Sequence, residues 1–193
     1  GEMYRGGGAG YDSVAMVTLG TGVGGGVIVG GRPLVGTNGA GGEIGHILAN
    51  RQETDKCGCG KKGCLEQYAS ATGIARLERI RLAKNNDMTL LRGQEITAKA
   101  VFDALKEGDK VAEEIVEEFG AYLGYALADV AAVIDPSMFI IGGGVSKAGP
   151  IIIQYVKKYF LEKAFFANEG TEFIIAVLGN DAGICGAAKL ILG

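Results

Sequence analysis

The pattern of apolar and polar positions divides the chain into a strand-rich start and a longer mixture of helices and strands. Two β-branched apolar stretches at 13–19 and 26–29, followed by a short piece at 32–35, predict a glycine-linked antiparallel meander. Residues 50–64 are polar and show no periodicity, which predicts an irregular loop held by something other than a core. From Leu65 onward the pattern is helical.

The second half alternates between helices and strands. An apolar stripe at helical spacing predicts one long helix over 109–134. Shorter patterns then predict a buried strand at 137–141, a helix opened by Gly149-Pro150, a strand at 173–177 and a small-residue helix at 182–192. This order predicts an α/β fold with a mixed sheet flanked by helices, and no domain boundary is visible inside the chain.

Composition narrows the class of protein. The 193 residues carry 22 acidic and 19 basic side chains, for a net charge of -3, which argues against a nucleic-acid partner. No apolar run is long enough to span a membrane and no signal peptide opens the chain, so we expect a soluble, cytoplasmic protein. Residues 1–10 resemble the end of a helix that runs into a glycine-rich stop, and we therefore expect a fragment of a longer protein.

A cysteine cluster is the strongest chemical signal. Cys57, Cys59 and Cys64 are close in sequence, and His46, the only histidine, stands eleven residues before the first of them. Together they make a closed Cys₃His set, which predicts a structural Zn²⁺. A redox Cys-x-Cys pair, a group of free thiols and an iron–sulfur cluster remain alternatives. The fourth cysteine, Cys185, lies in an apolar helical stretch and is expected to pack in the core.

Carboxylates flank this cluster on both sides. Glu43 precedes His46 by three residues, and Glu66 follows Cys64 by two. A metal would draw these groups together into a set of acceptors suited to a polyol ring, with the ion as scaffold. For Glu66 the alternative is a charge placed at a helix N-terminus, where the helix dipole favours it.

Two linked motifs carry a family resemblance. They are Leu19-x-x-Gly22-Val23-Gly24-x-Gly26-Val27, with Gly36 beyond it, and Gly42-x-x-Gly45-His46 joined to Cys57-x-Cys59-Gly60-x-x-Gly63-Cys64-x-Glu66. Over essentially its whole length the chain resembles the ROK family of sugar kinases, open reading frames and repressors. The resemblance implies the actin-like ATPase (ribonuclease H-like) fold, with 1–193 as its C-terminal lobe and an inserted zinc loop.

The resemblance also implies roles for residues of the 36–66 segment. His46, Cys57, Cys59 and Cys64 would bind zinc, and Glu43, His46 and Glu66 would contact sugar hydroxyls. One ring nitrogen of His46 can bind the metal while the other donates a hydrogen bond to a hydroxyl. Asn38 is a further candidate for the sugar, with a role in a turn as the alternative.

Two glycine-rich segments are candidates for binding Mg²⁺-ATP. Gly20, Thr21 and Gly22 join two predicted strands, so they form a hairpin and not a P-loop, and a simple tight turn is the alternative. Gly142, Gly143 and Gly144 close a buried strand, where α/β folds place ligands. The resemblance makes this second segment the adenosine wall; close packing of the following helix is the alternative.

The functional expectation follows from the likeness of the Gly20-Thr21-Gly22 region to bacterial glucokinases. It implies ATP-dependent phosphorylation of a hexose, glucose to glucose 6-phosphate, by a longer, homodimeric parent that acts in glycolysis. The family takes its catalytic base from an Asn-Asp pair that would precede Gly1, in an absent N-terminal lobe, so this chain alone is expected to be inactive. The alternatives are a sugar-sensing ROK-type repressor and a zinc-stabilised module without catalysis.

Overall fold

A mixed β-sheet organises the molecule in the computed structural model, which describes residues 1–192. Its strands run in the order β3-β2-β1-β4-β5, with β1 at Val14–Leu19, β2 at Val23–Val29, β3 at Arg32–Pro33, β4 at Met138–Gly142 and β5 at Glu172–Ile175. β1 pairs antiparallel with β2 and parallel with β4, and β4 pairs parallel with β5. The predicted meander and mixed sheet are therefore confirmed.

Helices cover the sheet and carry the loops around it. They are α1 at Glu2–Arg5, α2 at Glu66–Ala69, α3 at Ala71–Lys84, α4 at Ala98–Lys106, α5 at Lys110–Ile134, α6 at Ile151–Lys163 and α7 at Asp181–Leu192. The long predicted helix is α5. It starts where the Asp109 carboxylate accepts hydrogen bonds from the backbone N–H groups of Val111 and Ala112, and it ends at Asp135 in the left-handed conformation.

The main core lies between one face of the sheet and α3 to α6. β1 sends Ala15, Val17 and Leu19 into this core and Val14 to the opposite face, which follows from the alternation of side chains along a strand. β4 is buried along its whole length, as expected for a strand with parallel neighbours on both sides. The carboxyl ends of β1, β4 and β5 consequently meet at one edge of the sheet.

Two local predictions are wrong. β2 begins at Val23, not at residue 26, because Gly24, Gly25 and Gly26 pair in register with β1 and extend the ladder. Cys185 is only half-buried and lies outside the core. It is only partly covered because α7 packs chiefly against the short helix α1.

Helix α4 has no counterpart among the elements that the sequence pattern predicts. No helix in the described part of the chain has the length and apolar character needed to cross a membrane.

Candidate metal and ligand site

The four predicted metal ligands converge on one point. The ligand atoms of His46, Cys57, Cys59 and Cys64 all lie within 4.8 Å of one another. Cys59 Sγ is 3.6 Å from Cys64 Sγ, and Cys57 Sγ is 3.9 Å from His46 Nδ1. Ligands at about 2.0 to 2.3 Å from a tetrahedral zinc are separated by distances of this size, and a disulfide would need about 2.05 Å. The donor set and its spacing therefore fit a single zinc ion.

The thiols require a cation to ionise fully. Burial raises the pKa of Cys57 and brings that of Cys64 to about 12. The pKa of Cys59, which is exposed, is lowered mainly by the backbone N–H of Lys61. A bound metal would hold all three as thiolates at neutral pH, which is how metal binding displaces protons from cysteine.

Backbone bridges explain how the distant histidine reaches the cysteines. Leu48 forms an isolated antiparallel bridge with Cys64, and Leu65 N donates to Ile47 O at 2.9 Å. The chain after His46 thus runs directly beside the last cysteine. A second bridge, between Lys56 and Lys62, closes the turn that carries Cys57 and Cys59.

Glu66 lies between the metal ligands and the β1–β2 hairpin. Its Oε2 accepts a hydrogen bond from Val23 N at 3.1 Å, and its Oε1 accepts one from Cys57 Sγ at 3.5 Å. A Cβ atom on Gly22 would stand 2.1 Å from Oε2, so the glycine is required for this close approach. Glu66 is also the first residue of α2, so a role as an acceptor for sugar hydroxyls is compatible with a charge at a helix N-terminus.

The other predicted sugar ligands are on the exposed side of this cluster. Glu43 immediately precedes a 3₁₀ turn at Ile44–His46, and both Glu43 and His46 are exposed. Asn38 is exposed in the turn between β3 and that 3₁₀ turn. His46 and Glu66 share Cys57 as a neighbour, whereas the described residues include no hydrogen bond from the side chain of Glu43 or Asn38. Their part in sugar binding stays a prediction.

The hairpin is fixed by the start of α3. Ala71 N donates to Gly20 O, and the Thr72 hydroxyl donates to Thr21 O, both at 2.7 Å. The carbonyl groups of Gly20 and Thr21 therefore point towards α3, whereas that of Gly22 accepts a hydrogen bond from Gly20 N at 3.0 Å. A turn held in this way can present backbone N–H groups on its other side, as an anion-binding loop must.

The glycines after β4 differ in what they do. Gly143 has φ +87, and a Cβ there would lie 2.6 Å from Leu19 O, so this residue brings the loop against the end of β1. A Cβ on Gly142 would collide with Met16 at 2.4 Å, which shows a packing role. Gly144 faces open space and borders two cavities, of about 850 and 320 Å³.

The sequence did not indicate the smaller cavity or several contacts that hold residues 50–64, called the metal loop below. Thr97, Lys99 and Lys147 line that cavity, between the start of α4 and the turn that follows Gly144. The Thr97 hydroxyl caps α4, a signal that was present in the sequence as threonine before an apolar stripe. The missed loop contacts come from Glu53, Gln67, Tyr68 and Arg76.

Known proteins match this chain over nearly its whole length. The model of the ROK family matches residues 1–193. Glucokinase of Halalkalibacterium halodurans is 43% identical over 99% of this chain and 59% of its own length. A crystal structure of a ROK family glucokinase from Streptomyces griseus, in complex with glucose and AMPPNP, superposes with a TM-score of 0.87 at 37% identity, covering 98% of this chain and 63% of that one.

A regulator shares the same architecture. A ROK family transcriptional regulator, a homologue of the E. coli MLC protein, has a TM-score of 0.80 at 28% identity and covers 92% of this chain and 45% of its own. The chain thus spans less than two thirds of the length of each of these relatives.

Proposed function

The chain belongs to the ROK family, and from that premise we propose that it is part of an ATP-dependent hexose kinase that converts glucose to glucose 6-phosphate. The observation that carries the proposal is the position of Glu66. Its carboxylate touches both Cys57 of the metal cluster and Val23 of the hairpin. A carboxylate fixed at that junction can orient a sugar beside a phosphate-binding turn.

Sugar binding would use the group of acceptors around the metal cluster. Because Nδ1 of His46 faces Cys57, Nε2 is free to meet a hydroxyl, and the carboxylates of Glu66 and Glu43 would accept hydrogen bonds from neighbouring hydroxyls. Asn38 would add an amide. A zinc ion on His46 and the three cysteines would supply rigidity, since all four protein ligands leave no open position for Lewis-acid chemistry.

Nucleotide binding would use the edge formed by the ends of β1 and β4. Thr21 and Gly22 would offer backbone and hydroxyl donors to the phosphates of Mg²⁺-ATP, and Gly20, whose N–H donates to Gly22 O at 3.0 Å, would shape the turn. Gly142, Gly143 and Gly144 would form the wall against the adenosine, with the adjoining 320 Å³ cavity as room for the base. Phosphoryl transfer further needs a carboxylate to accept the sugar hydroxyl proton, and we assign that group to the family's Asn-Asp pair, outside residues 1–193.

The test is a coupled kinase assay on the complete protein that contains this chain. Glu66→Gln should raise KM for glucose by about 10- to 100-fold, because it removes charge-assisted hydrogen bonds, while KM for ATP stays unchanged. Glu95→Gln, an exposed glutamate far along the chain, is the control. An unchanged glucose KM in Glu66→Gln would contradict the assignment. Comparing glucose with fructose, allose and N-acetyl sugars identifies the substrate.

Kinase turnover, DNA binding and thermal stability together separate the other predictions about this chain. Residues 1–193 alone should not phosphorylate glucose, and robust turnover would overturn our placement of the base. A sugar-sensing repressor, which the shared fold of the regulator brings into consideration, would bind operator DNA and lack sugar-dependent ATP turnover. A zinc-stabilised module without ligand would show no rise in melting temperature with glucose. Cytoplasmic location and a homodimer using α5 and the loop after Gly36 stay predictions.

A further inference from the structure

Gln67 contacts the backbone of a predicted metal ligand without being a ligand itself. Its Oε1 accepts hydrogen bonds from Gly63 N at 2.8 Å and Cys64 N at 3.1 Å. The helical turn here begins at Cys64, since Gln67 N donates to Cys64 O at 3.0 Å. A glutamine three residues into a helix commonly reaches back to the first amide in this way. The side chain thereby fixes the main chain at the last cysteine ligand.

The same side chain also holds the opposite arm of the metal loop. Gln67 Nε2 donates to Asp55 O at 3.1 Å, two residues before Cys57. One carboxamide therefore joins the segment that enters the cysteine turn to the segment that leaves it. Because a carboxamide carries an acceptor and a donor on one planar group, glutamate or methionine of similar size cannot make all three bonds.

A second attachment shows that the entering arm is held from outside the loop. Arg76 of α3 forms ion pairs with Glu53 at 2.8 Å and with Asp55 at 3.0 Å. Asp55 is thus fixed on one side by its carboxylate and on the other by its carbonyl group. Through its hydrogen bonds, Gln67 links this fixed segment to the segment that carries Cys64.

We propose that Gln67 is a positioning residue of the metal centre: its carboxamide presets the separation of the two arms that carry Cys57 and Cys64, and so slows release of the ion. The inference rests on the proposed zinc site and is independent of the sugar. Groups outside the ligand set that orient metal ligands typically change metal affinity by about 10- to 100-fold when they are removed.

The first test measures zinc release from purified, zinc-loaded protein into a chromogenic chelator. Gln67→Met keeps the length of the side chain and removes all three hydrogen bonds, so release should be about 10- to 100-fold faster. Gln67→Glu keeps the two hydrogen bonds from Gly63 and Cys64 and loses the one to Asp55. Its rate of zinc release should lie between those of the wild type and Gln67→Met. Gln52→Met, at an exposed position of the same loop, should match the wild type.

A spectroscopic measurement separates positioning from loss of fold. With Co²⁺ in place of Zn²⁺, Gln67→Met should keep its thiolate charge-transfer absorption and shift its ligand-field bands, since the three cysteines remain but their geometry relaxes. Zinc release from Gln67→Met at the wild-type rate would overturn the proposal, as would ligand-field bands identical to those of the wild type.

If the variants do not fold, hydrogen exchange in the wild-type protein tests the positioning role of Gln67. In zinc-free wild-type protein, hydrogen exchange at the amides of Gly63 and Cys64 should be slower than at Gly58, which is exposed in the same loop. Equal exchange at the three amides would overturn the proposal. Purified protein that takes up no zinc would refute the metal site itself, and loss of sugar binding alone would refute only the proposed kinase function.

Discussion

Glu78 provides a quantitative test of the packing between α3 and α4. This glutamate is fully buried, and its two carboxylate oxygens have no hydrogen-bond partner among the residues that the structure describes. Burial raises its pKa to about 7, while the backbone N–H of Thr97, which lies beyond hydrogen-bond geometry, and the charge of Arg79 oppose the rise. The native state therefore holds a proton that the unfolded chain releases at lower pH.

The direction of the pH effect on stability follows from the difference between the folded and unfolded pKa values of Glu78. Since the pKa of Glu78 is higher in the folded protein, its ionisation makes unfolding easier as pH rises from about 4.5 to about 7. The shift from 4.5 to about 7 corresponds to about 3 kcal/mol above pH 8, at about 1.4 kcal/mol per pKa unit. Glu78→Gln, a neutral side chain of the same shape, should be more stable than the wild type by about that amount above pH 8.

Urea unfolding of zinc-loaded protein, followed by circular dichroism from pH 5.5 to 8.5, measures this difference. The advantage of Glu78→Gln should shrink to about 1 kcal/mol by pH 5.5, where most wild-type molecules already hold the proton. Zinc loss at low pH affects both proteins equally and cancels in the comparison. Glu95→Gln, the same substitution at an exposed position, is the control variant. A constant or negative advantage for Glu78→Gln across this range would refute the reasoning.

Three further predictions follow from close contacts at the site. Gly22→Ala should raise KM for glucose at least tenfold by displacing the neighbouring carboxylate, whereas Gly20→Ala, with open space around its Cβ, should not, as steady-state kinetics will show. Glu53→Gln should lose about 1 to 3 kcal/mol of unfolding free energy in urea at pH 7. Burial opposes ionisation of Glu53, but the hydrogen bond from a contacting tyrosine and other contacts lower its pKa to about 2. The difference between the variant and the wild type should therefore fade as pH falls from 4.5 to 2. Gly143→Ala should destabilise the fold by about 1 to 3 kcal/mol and weaken nucleotide binding in calorimetry, whereas Gly144→Ala should leave stability nearly unchanged.

The sequence predicted the elements whose periodicity is set by burial. The long helix was identified to within a residue at its start because Asp109 is a strong N-cap and the apolar stripe behind it is continuous. The four candidate metal ligands were predicted for a different reason, because thiols and imidazole have few uses in such a cluster, and the structure brings them together. Both kinds of signal are local, and each can be read without knowing the fold.

Contacts between distant segments could not be predicted in the same way. Glycine in the hairpin indicated a turn, but only the folded chain shows that Gly22 makes room for a carboxylate 44 positions later. Helix α4 was missed because its stripe is short, and Cys185 was misplaced because an apolar sequence does not reveal what covers it. The roles of Gln67 and Glu78 depend on neighbours brought in by tertiary packing.

The metal loop has a practical consequence for judging whether preparations of this protein are sound. Most residues of the 50–64 segment are exposed, so the proposed zinc ion and a few hydrogen bonds, and not a buried core, would keep the segment ordered. If the proposed zinc is bound, a chelator or an oxidant would disorder this segment while the helices and the sheet persist. Circular dichroism and urea midpoints would then report an intact molecule with a ruined ligand site. Zinc content per chain is the quality measurement that these two assays cannot replace.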